Sequence, residues 1–395
     1  MPTAIHSTVF NQPLRLAIVT ETYPPEINGV ANTMRHLVLG LQQRGHYIGL
    51  IRPRQRHEPI QYDHTVDSQL LVPGFPLPGY RRLQFGIPLI GQLKRFWQHW
   101  QPHAVYIATQ GPLGRGALNT AIAHGTPVLT GFHTQFHQYS RYYGAGFLMQ
   151  PIMTSLRRFH NRSNGTLVPT IALKEELTRS GFNNVGVFSR GVNTNLFTPE
   201  RRSATLRQAW GCDNENCIAV LYVGRIAAEK NIELVFKTFH AISHAIPHSK
   251  LILVGDGPEL TRCQRQYPDA LFVGAKIGKE LATHYASSDL FLFPSLTETF
   301  GNVVPEAMAS GLAVVAFDDA AAHEHIQSGQ NGITVAIAHD GAYIQAAVAA
   351  ARDPIQLTIL RSNARLTAET LSWERVVQGI EQQFHAIQQQ SAIIE

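Results

Sequence analysis

Two carboxylates, Glu298 and Glu306, stand in the stretch Pro294-Ser295-Leu296-Thr297-Glu298-Thr299-Phe300-Gly301-Asn302-Val303-Val304-Pro305-Glu306-Ala307-Met308-Ala309-Ser310-Gly311. An apolar run predicts a strand ending at Pro294. Pro is tolerated in the first turn of a helix and Gly ends one, so Pro305 and Gly311 predict a helix over 302–310. Glu298 then lies in the loop before that helix and Glu306 on it. The backbone N–H groups of Phe300, Gly301 and Asn302 would face the same crevice. Carboxylates accept hydrogen bonds from sugar hydroxyls, and amides at the positive end of a helix hold phosphate. A solvated surface is the plainer reading, and the apolar flanks speak against it.

Other segments supply complementary chemistry. Tyr222-Val223-Gly224-Arg225 is followed by Lys230-Asn231 at the start of a helix-like stretch. Arg grips two oxygens at once and Lys acts as a point charge, so the pair suits a diphosphate; plain surface charge is the alternative. Val254-Gly255-Asp256-Gly257-Pro258 resembles half of a phosphate loop, although its glycines could serve only the turn. Gly29, in Glu21-Thr22-Tyr23-Pro24-Pro25-Glu26-Ile27-Asn28-Gly29, precedes a helix and would let a ligand approach backbone N–H groups. It is not a dinucleotide fingerprint, because the further glycines are missing. His133 and His137 have helical zinc spacing, but no third ligand accompanies them, so His133 reads as a polar contact to substrate or as structural.

The elements that position these residues follow from hydrophobic pattern. Apolar runs at 14–20, 47–51, 104–108, 127–132, 166–168 and 185–188 predict one set of strands. A second set falls at 218–223, 251–254, 271–273, 290–294, 313–317 and 333–335. Continuous apolar runs alternating with helix-like segments imply parallel sheets covered on both faces, an α/β chain of two doubly wound domains. The join falls near 189–197, and a helical tail runs from Thr367 past Trp373. Ligands of such sheets bind beyond the C-terminal strand ends, where all the segments above lie.

The chain has 395 residues, 44% hydrophobic and 15% charged, which excludes a disordered protein. No apolar run is long enough to span a membrane, and no secretory signal is visible at the start. Cys212, Cys217 and Cys263 match no zinc pattern and read as reduced thiols. Residues 1–190 carry 18 Lys/Arg against 7 Asp/Glu, whereas 191–395 carry 15 against 21. The basic half suits an anionic substrate or surface. Cations and aromatics in 80–100, including Arg81, Arg82, Lys94, Arg95, Trp97 and Trp100, suggest an anionic membrane. The alternative is that the tryptophans are core and the cations a solvated face. A second basic cluster, 156–162, lies in the same half.

Together these residues resemble the GT4 family of retaining glycosyltransferases, whose GT-B fold pairs two Rossmann-like domains. The resemblance covers almost the whole chain. It rests on the Gly29 loop, the His133 segment, Gly224-Arg225 with Lys230-Asn231, Val254-Gly255-Asp256-Gly257-Pro258-Glu259-Leu260 and the Glu298/Glu306 pair with its Glu-Ala-Met-Ala helix. The Gly29 segment and Arg52-Pro53-Arg54-Gln55 look most like bacterial GDP-mannose-dependent α-mannosyltransferases. Sulfoquinovosyl- and glucuronosyl-diacylglycerol synthases, which use UDP-sugars, share much of the pattern.

The resemblance implies an acceptor-binding domain over 1–190, a donor-binding domain over 191–374, and a last helix at about 375–395 that packs back on the first. Arg225 and Lys230 would hold the donor diphosphate, helped by Gly29 and the amides of Phe300, Gly301 and Asn302. Glu306 would bind the ribose. Glu298 and His133 would act at the donor sugar. Asn193 departs from the Asp common in relatives. No metal or cofactor is expected, the nucleotide-diphosphate sugar being a substrate, and no nucleic-acid partner. The expected acceptor is a lipid or glycan, with the enzyme in the cytoplasm or peripheral at the inner membrane face. Two rival readings are a nucleotide-sugar epimerase and a non-enzymatic binder of anionic surfaces.

Overall fold

Segments such as Leu16-Ala17-Ile18-Val19 have no polar face to give to water, so they become strands covered on both sides. The computed structural model describes residues 12–26, 28–55, 58, 65–77, 80–132, 149–214, 216–298 and 300–394, with the backbone alone at 77, 80–83, 149 and 391–394. The chain divides into two units, Met1–Ser189 with Glu374–Glu395, and Arg190–Trp373.

The first unit runs β1 (Arg15–Val19), α1 (Gly29–Gln43), β2 (Tyr47–Pro53), β3 (Ser68–Val72), β4 (Gly74–Leu77), β5 (Tyr80–Gly86), α2 (Ile90–Trp100), β6 (Ala104–Ile107), α3 (Pro112–Ala123), β7 (Val128–Gly131), α4 (Met149–His160), β8 (Gly165–Val168), α5 (Ile171–Arg179) and β9 (Val185–Val187). Seven strands form a parallel sheet ordered β3-β2-β1-β6-β7-β8-β9. The order reverses between β1 and β6, the crevice where open α/β sheets bind ligands. Leu37, Val38 and Leu41 of α1 pack on one face with Val377, Ile380, Phe384 and Ile387 of the C-terminal helix Trp373–Ile394. On the other face, Leu93, Phe96 and Trp97 of α2 pack with Leu113 and Ala117 of α3 and Phe159 of α4. Asn28 caps α1, its side chain accepting the Ala31 N–H at 2.8 Å.

The second unit contains α6 (Ala204–Ala209), β10 (Ile218–Val223), α7 (Ile232–Ala245), β11 (Ser249–Val254), α8 (Leu260–Gln266), β12 (Leu271–Gly274), α9 (Gly278–Ala286), β13 (Leu290–Phe293), α10 (Val303–Ala309), β14 (Ala313–Phe317), α11 (Ala320–His325), β15 (Ile333–Val335), α12 (Asp340–Arg352) and α13 (Pro354–Glu369). Its parallel sheet is ordered β12-β11-β10-β13-β14-β15, reversing between β10 and β13. Two doubly wound α/β units are thus present, as the strand pattern predicts.

Several details differ from the sequence expectations. The strand β3 and the antiparallel hairpin β4–β5 were not expected, and β5 occupies part of the stretch read as a cationic patch. Trp97 is 2% exposed, and the Trp100 indole N–H donates to the Leu16 carbonyl at 3.3 Å, so both rings face the protein. The tail is not one helix: α13 ends at Glu369 and a second helix starts at Trp373. Cys212 and Cys217 form a disulfide, with only Cys263 free. The turn into β10 brings their Cα atoms to 5.3 Å, a local pairing that lack of a cysteine framework does not exclude.

Candidate active site

The loop after β10 is fixed by backbone meeting backbone. A Cβ on Gly255, whose φ is +150°, would lie 1.9 Å from the Gly224 carbonyl oxygen; one on Gly257 would lie 2.2 Å from that of Ile226. Ile226 N–H donates to Asp256 at 3.0 Å and Glu259 N–H to Ile226 at 3.1 Å. The two glycines thus brace the chain that carries Arg225. That guanidinium is exposed, 3.3 Å from Glu229.

Lys230 closes the 3-10 turn Ala228–Lys230 just before α7. Its ammonium donates to Glu298 Oε1 at 2.5 Å and to the Thr297 carbonyl at 3.2 Å. Two motifs far apart in sequence therefore meet at the C-terminal ends of β10 and β13, with Lys230 and Glu298 each 17% exposed. Gly301 adopts φ +82°, a left-handed conformation that favours glycine, and turns the loop into α10. Phe300 is buried, and its carbonyl accepts the Ala321 N–H at 2.7 Å.

Glu306 projects from α10 and accepts the Tyr285 hydroxyl at 3.2 Å. Protein crowded around the carboxyl pushes it up to about 7, the Tyr285 hydrogen bond acting in the opposite sense. Burial and the neighbouring Glu306 raise the Tyr285 phenol well above its ordinary value. Asp319, just before α11, is likewise raised by burial and by the charge of Glu298. Arg190 is buried; it donates to Asn302 Oδ1 at 3.3 Å, with its guanidinium 5.6 Å from the Phe300 ring centroid. Tyr285, Asp319 and Arg190 escaped sequence reasoning because none stands in a motif; only the hydrophobic setting of Tyr285 and the charge of Arg190 mark them.

The second unit therefore brings Lys230 and Glu298 into contact and carries Arg225, Phe300, Gly301, Asn302 and Glu306 on the same strand-end loops and α10. Gly29 belongs to the first unit, as the first residue of α1. His133 and His137 lie outside the described residues. The first unit holds a further buried carboxyl after β1. Glu21 accepts N–H groups from Gly86 and, at 3.1 Å, Leu113; burial pushes it up to about 7 against those bonds.

Among the described residues, the side chains clustered as metal ligands are His46, Glu381 and His385. Their hydrogen bonding does not fit a metal. His46 Nδ1 accepts the Leu14 N–H at 3.1 Å, so Nε2 carries the proton and donates to Glu381 Oε1 at 2.9 Å. The other Glu381 oxygen takes Arg44.

Two family models match the chain: "Glycosyltransferase Family 4" over residues 27–196 and "Glycosyl transferases group 1" over 218–353. A GDP-mannose-dependent alpha-mannosyltransferase of Mycobacterium tuberculosis is 32% identical over 326 residues, 82% of this chain and 84% of that protein. The sulfoquinovosyl transferase SQD2 of Arabidopsis thaliana is 28% identical over 330 residues, 82% of this chain and 63% of its own. Among solved structures, Anabaena Alr3699/HepE in complex with UDP superposes with a TM-score of 0.76 at 18% identity, covering 94% of this chain and 100% of that one. Sheet order, strand-end site and these matches agree: the chain belongs to glycosyltransferase family 4 and is a glycosyltransferase of the GT-B fold.

Proposed function

We propose that the chain transfers mannose from GDP-mannose, with retention, to a lipid or glycan acceptor in α linkage. The observation that supports this reading is the Lys230–Glu298 contact, an ammonium suited to phosphate beside a carboxylate suited to sugar hydroxyls. Breaking the anomeric bond leaves negative charge on the diphosphate and positive charge on the sugar ring. Lys230 and Arg225 neutralise the former, with the N–H groups of Phe300, Gly301 and Asn302 as further donors. Glu298 accepts hydrogen bonds from the sugar and Glu306 from the ribose. His133 orients the sugar, and Gly29 lets the first unit approach the diphosphate. The acceptor hydroxyl attacks from the side of the departing phosphate, which takes its proton.

The first unit takes the acceptor and the second the donor. The reaction uses no metal or cofactor, so a chelator leaves turnover unchanged. The basic first unit works at the cytoplasmic face of a membrane. Calorimetry and thermal shift with GDP-mannose, UDP-glucose, UDP-sulfoquinovose and ADP-glucose test the donor, since a ligand of the folded state raises its stability. Stabilisation by GDP-mannose above the others is expected. Preference for a UDP-sugar overturns the mannose assignment and favours a UDP-sugar-dependent diacylglycerol glycosyltransferase.

A further inference from the structure

Between Asp67 and Glu175 the sequence has ten Lys/Arg and not one acidic residue. Folding places three helices of this stretch, α2, α3 and α4, on one face of the first unit's sheet, their apolar sides turned inward. Arg115, Arg157 and Arg158 of these helices, joined by Arg179 at the end of α5, line two grooves that flank α4. One, of about 580 Å³, is lined by Arg115 and Arg158 with Gln150, Pro151, Thr154 and Ser155. The other, of about 430 Å³, is lined by Arg157 and Arg179 beside Gly181 and Phe182. No carboxylate lines either groove, and none pairs with these four arginines among the described residues.

Two of these side chains are held in position. Arg115 reaches across from α3 to donate to Ser155 Oγ at 2.9 Å, and its guanidinium stands 5.4 Å from the Phe159 ring centroid. Arg157 donates to the Ser180 carbonyl at 3.2 Å. Arg157 and Arg158 also suit the C-terminal dipole of α4, which gives them a purely local reason to be there. For Arg115 the dipole gives none. It sits near the N-terminus of α3, where a cation is disfavoured and an anion welcome. The Ser155 bond and the Phe159 ring hold it there, and that bond uses one of its five N–H groups.

We propose that these two grooves seat the phosphates of an anionic lipid bilayer, Arg115 with Arg158 in one and Arg157 with Arg179 in the other. This rests on the reading that the acceptor lies at a membrane. It moves the contact from the 80–100 stretch, whose tryptophans point inward, to α3 and α4.

The test is co-sedimentation with vesicles of phosphatidylcholine containing about one-quarter phosphatidylglycerol, against phosphatidylcholine alone. Salt-reversible binding to the anionic vesicles is expected. Two charges at the surface are worth about 30-fold together, so Arg115→Gln with Arg158→Gln should weaken binding by about that factor. Lys94→Gln with Arg95→Gln removes as much charge from the same face outside the grooves, and should cost at least five-fold less. Equal losses from the two pairs, no loss from the groove pair, or equal binding to neutral vesicles overturns the proposal. Arg158→Gln alone repeats the test without risk to folding, because Arg158 is exposed and makes no bond within the described residues. GDP affinity, measured in parallel, separates the two readings. Normal GDP binding without vesicle binding removes the membrane grooves and leaves glycosyl transfer standing.

Discussion

Glu298→Gln should tighten the binding of GDP while nearly abolishing transfer. The Lys230 ammonium is bonded to Glu298 Oε1 at 2.5 Å. A diphosphate entering the site must draw on that ammonium and tolerate the nearby carboxylate. The pair is neither on the surface nor deeply buried, with each side chain 17% exposed, which places its worth near the top of the range for exposed ion pairs, about 1 kcal/mol. Removing the carboxylate charge returns that amount to the nucleotide, about five-fold in affinity. GDP carries no donor hexose, so it loses nothing at Glu298 in exchange. The sugar nucleotide does lose a partner, and turnover should fall by roughly 10²–10³-fold, the scale of one transition-state contact. Lys230→Ala should weaken GDP by about 1.5–3 kcal/mol less the pair energy, and in that background Glu298→Gln should change affinity less than about two-fold. Isothermal calorimetry on four proteins closes the cycle, with melting curves to check folding. Weaker or unchanged GDP binding in folded Glu298→Gln would show that Lys230 is not shared between carboxylate and phosphate.

Two further outcomes follow from packing and charge. Glu306 holds its proton in the folded state up to about pH 7, above the ordinary carboxyl value of 4.5, so its contribution to stability falls as pH rises between those values. The slope is at most about 1.4 kcal/mol per pH unit. Urea midpoints at pH 5 and 8 should therefore fall less with pH in Glu306→Gln than in the wild type, while Glu21, shifted the same way, keeps its share in both; identical slopes would count against the shift. Gly255→Ala would put a Cβ 1.9 Å from the Gly224 carbonyl oxygen at a φ of +150°, and should destabilise the second unit by at least about 2 kcal/mol in a denaturation curve.

The buried strands were legible because parallel strands have no polar face. Ile218–Val223 and Ala313–Phe317 match the apolar runs residue for residue. The edge strand β3 was missed because Ser68 and Gln69 open it, leaving only Leu70–Val72 as an apolar run. The hairpin β4–β5 is specified by cross-strand pairing, which the sequence pattern does not display. Within the site, Lys230 and Glu298 stand in motifs whose chemistry could be read separately, but their meeting could not. Tyr285, Arg190 and Glu21 illustrate the rest: each owes its role to a partner distant in sequence, as Glu21 does to Gly86, 65 positions away.

The C-terminal helix belongs to the first unit although the whole second unit is synthesised before it. Its Val377, Ile380, Phe384 and Ile387 cover apolar surface that β1 and α1 would otherwise show to water. On the ribosome, the first unit therefore waits with an open face until residues 377–387 emerge, whereas the second can close its core sooner. A late stop codon or a proteolytic nick near residue 372 would wound the beginning of the protein, not its end. Such a truncated chain should keep a folded second unit and present to chaperones and proteases the bare face of the first.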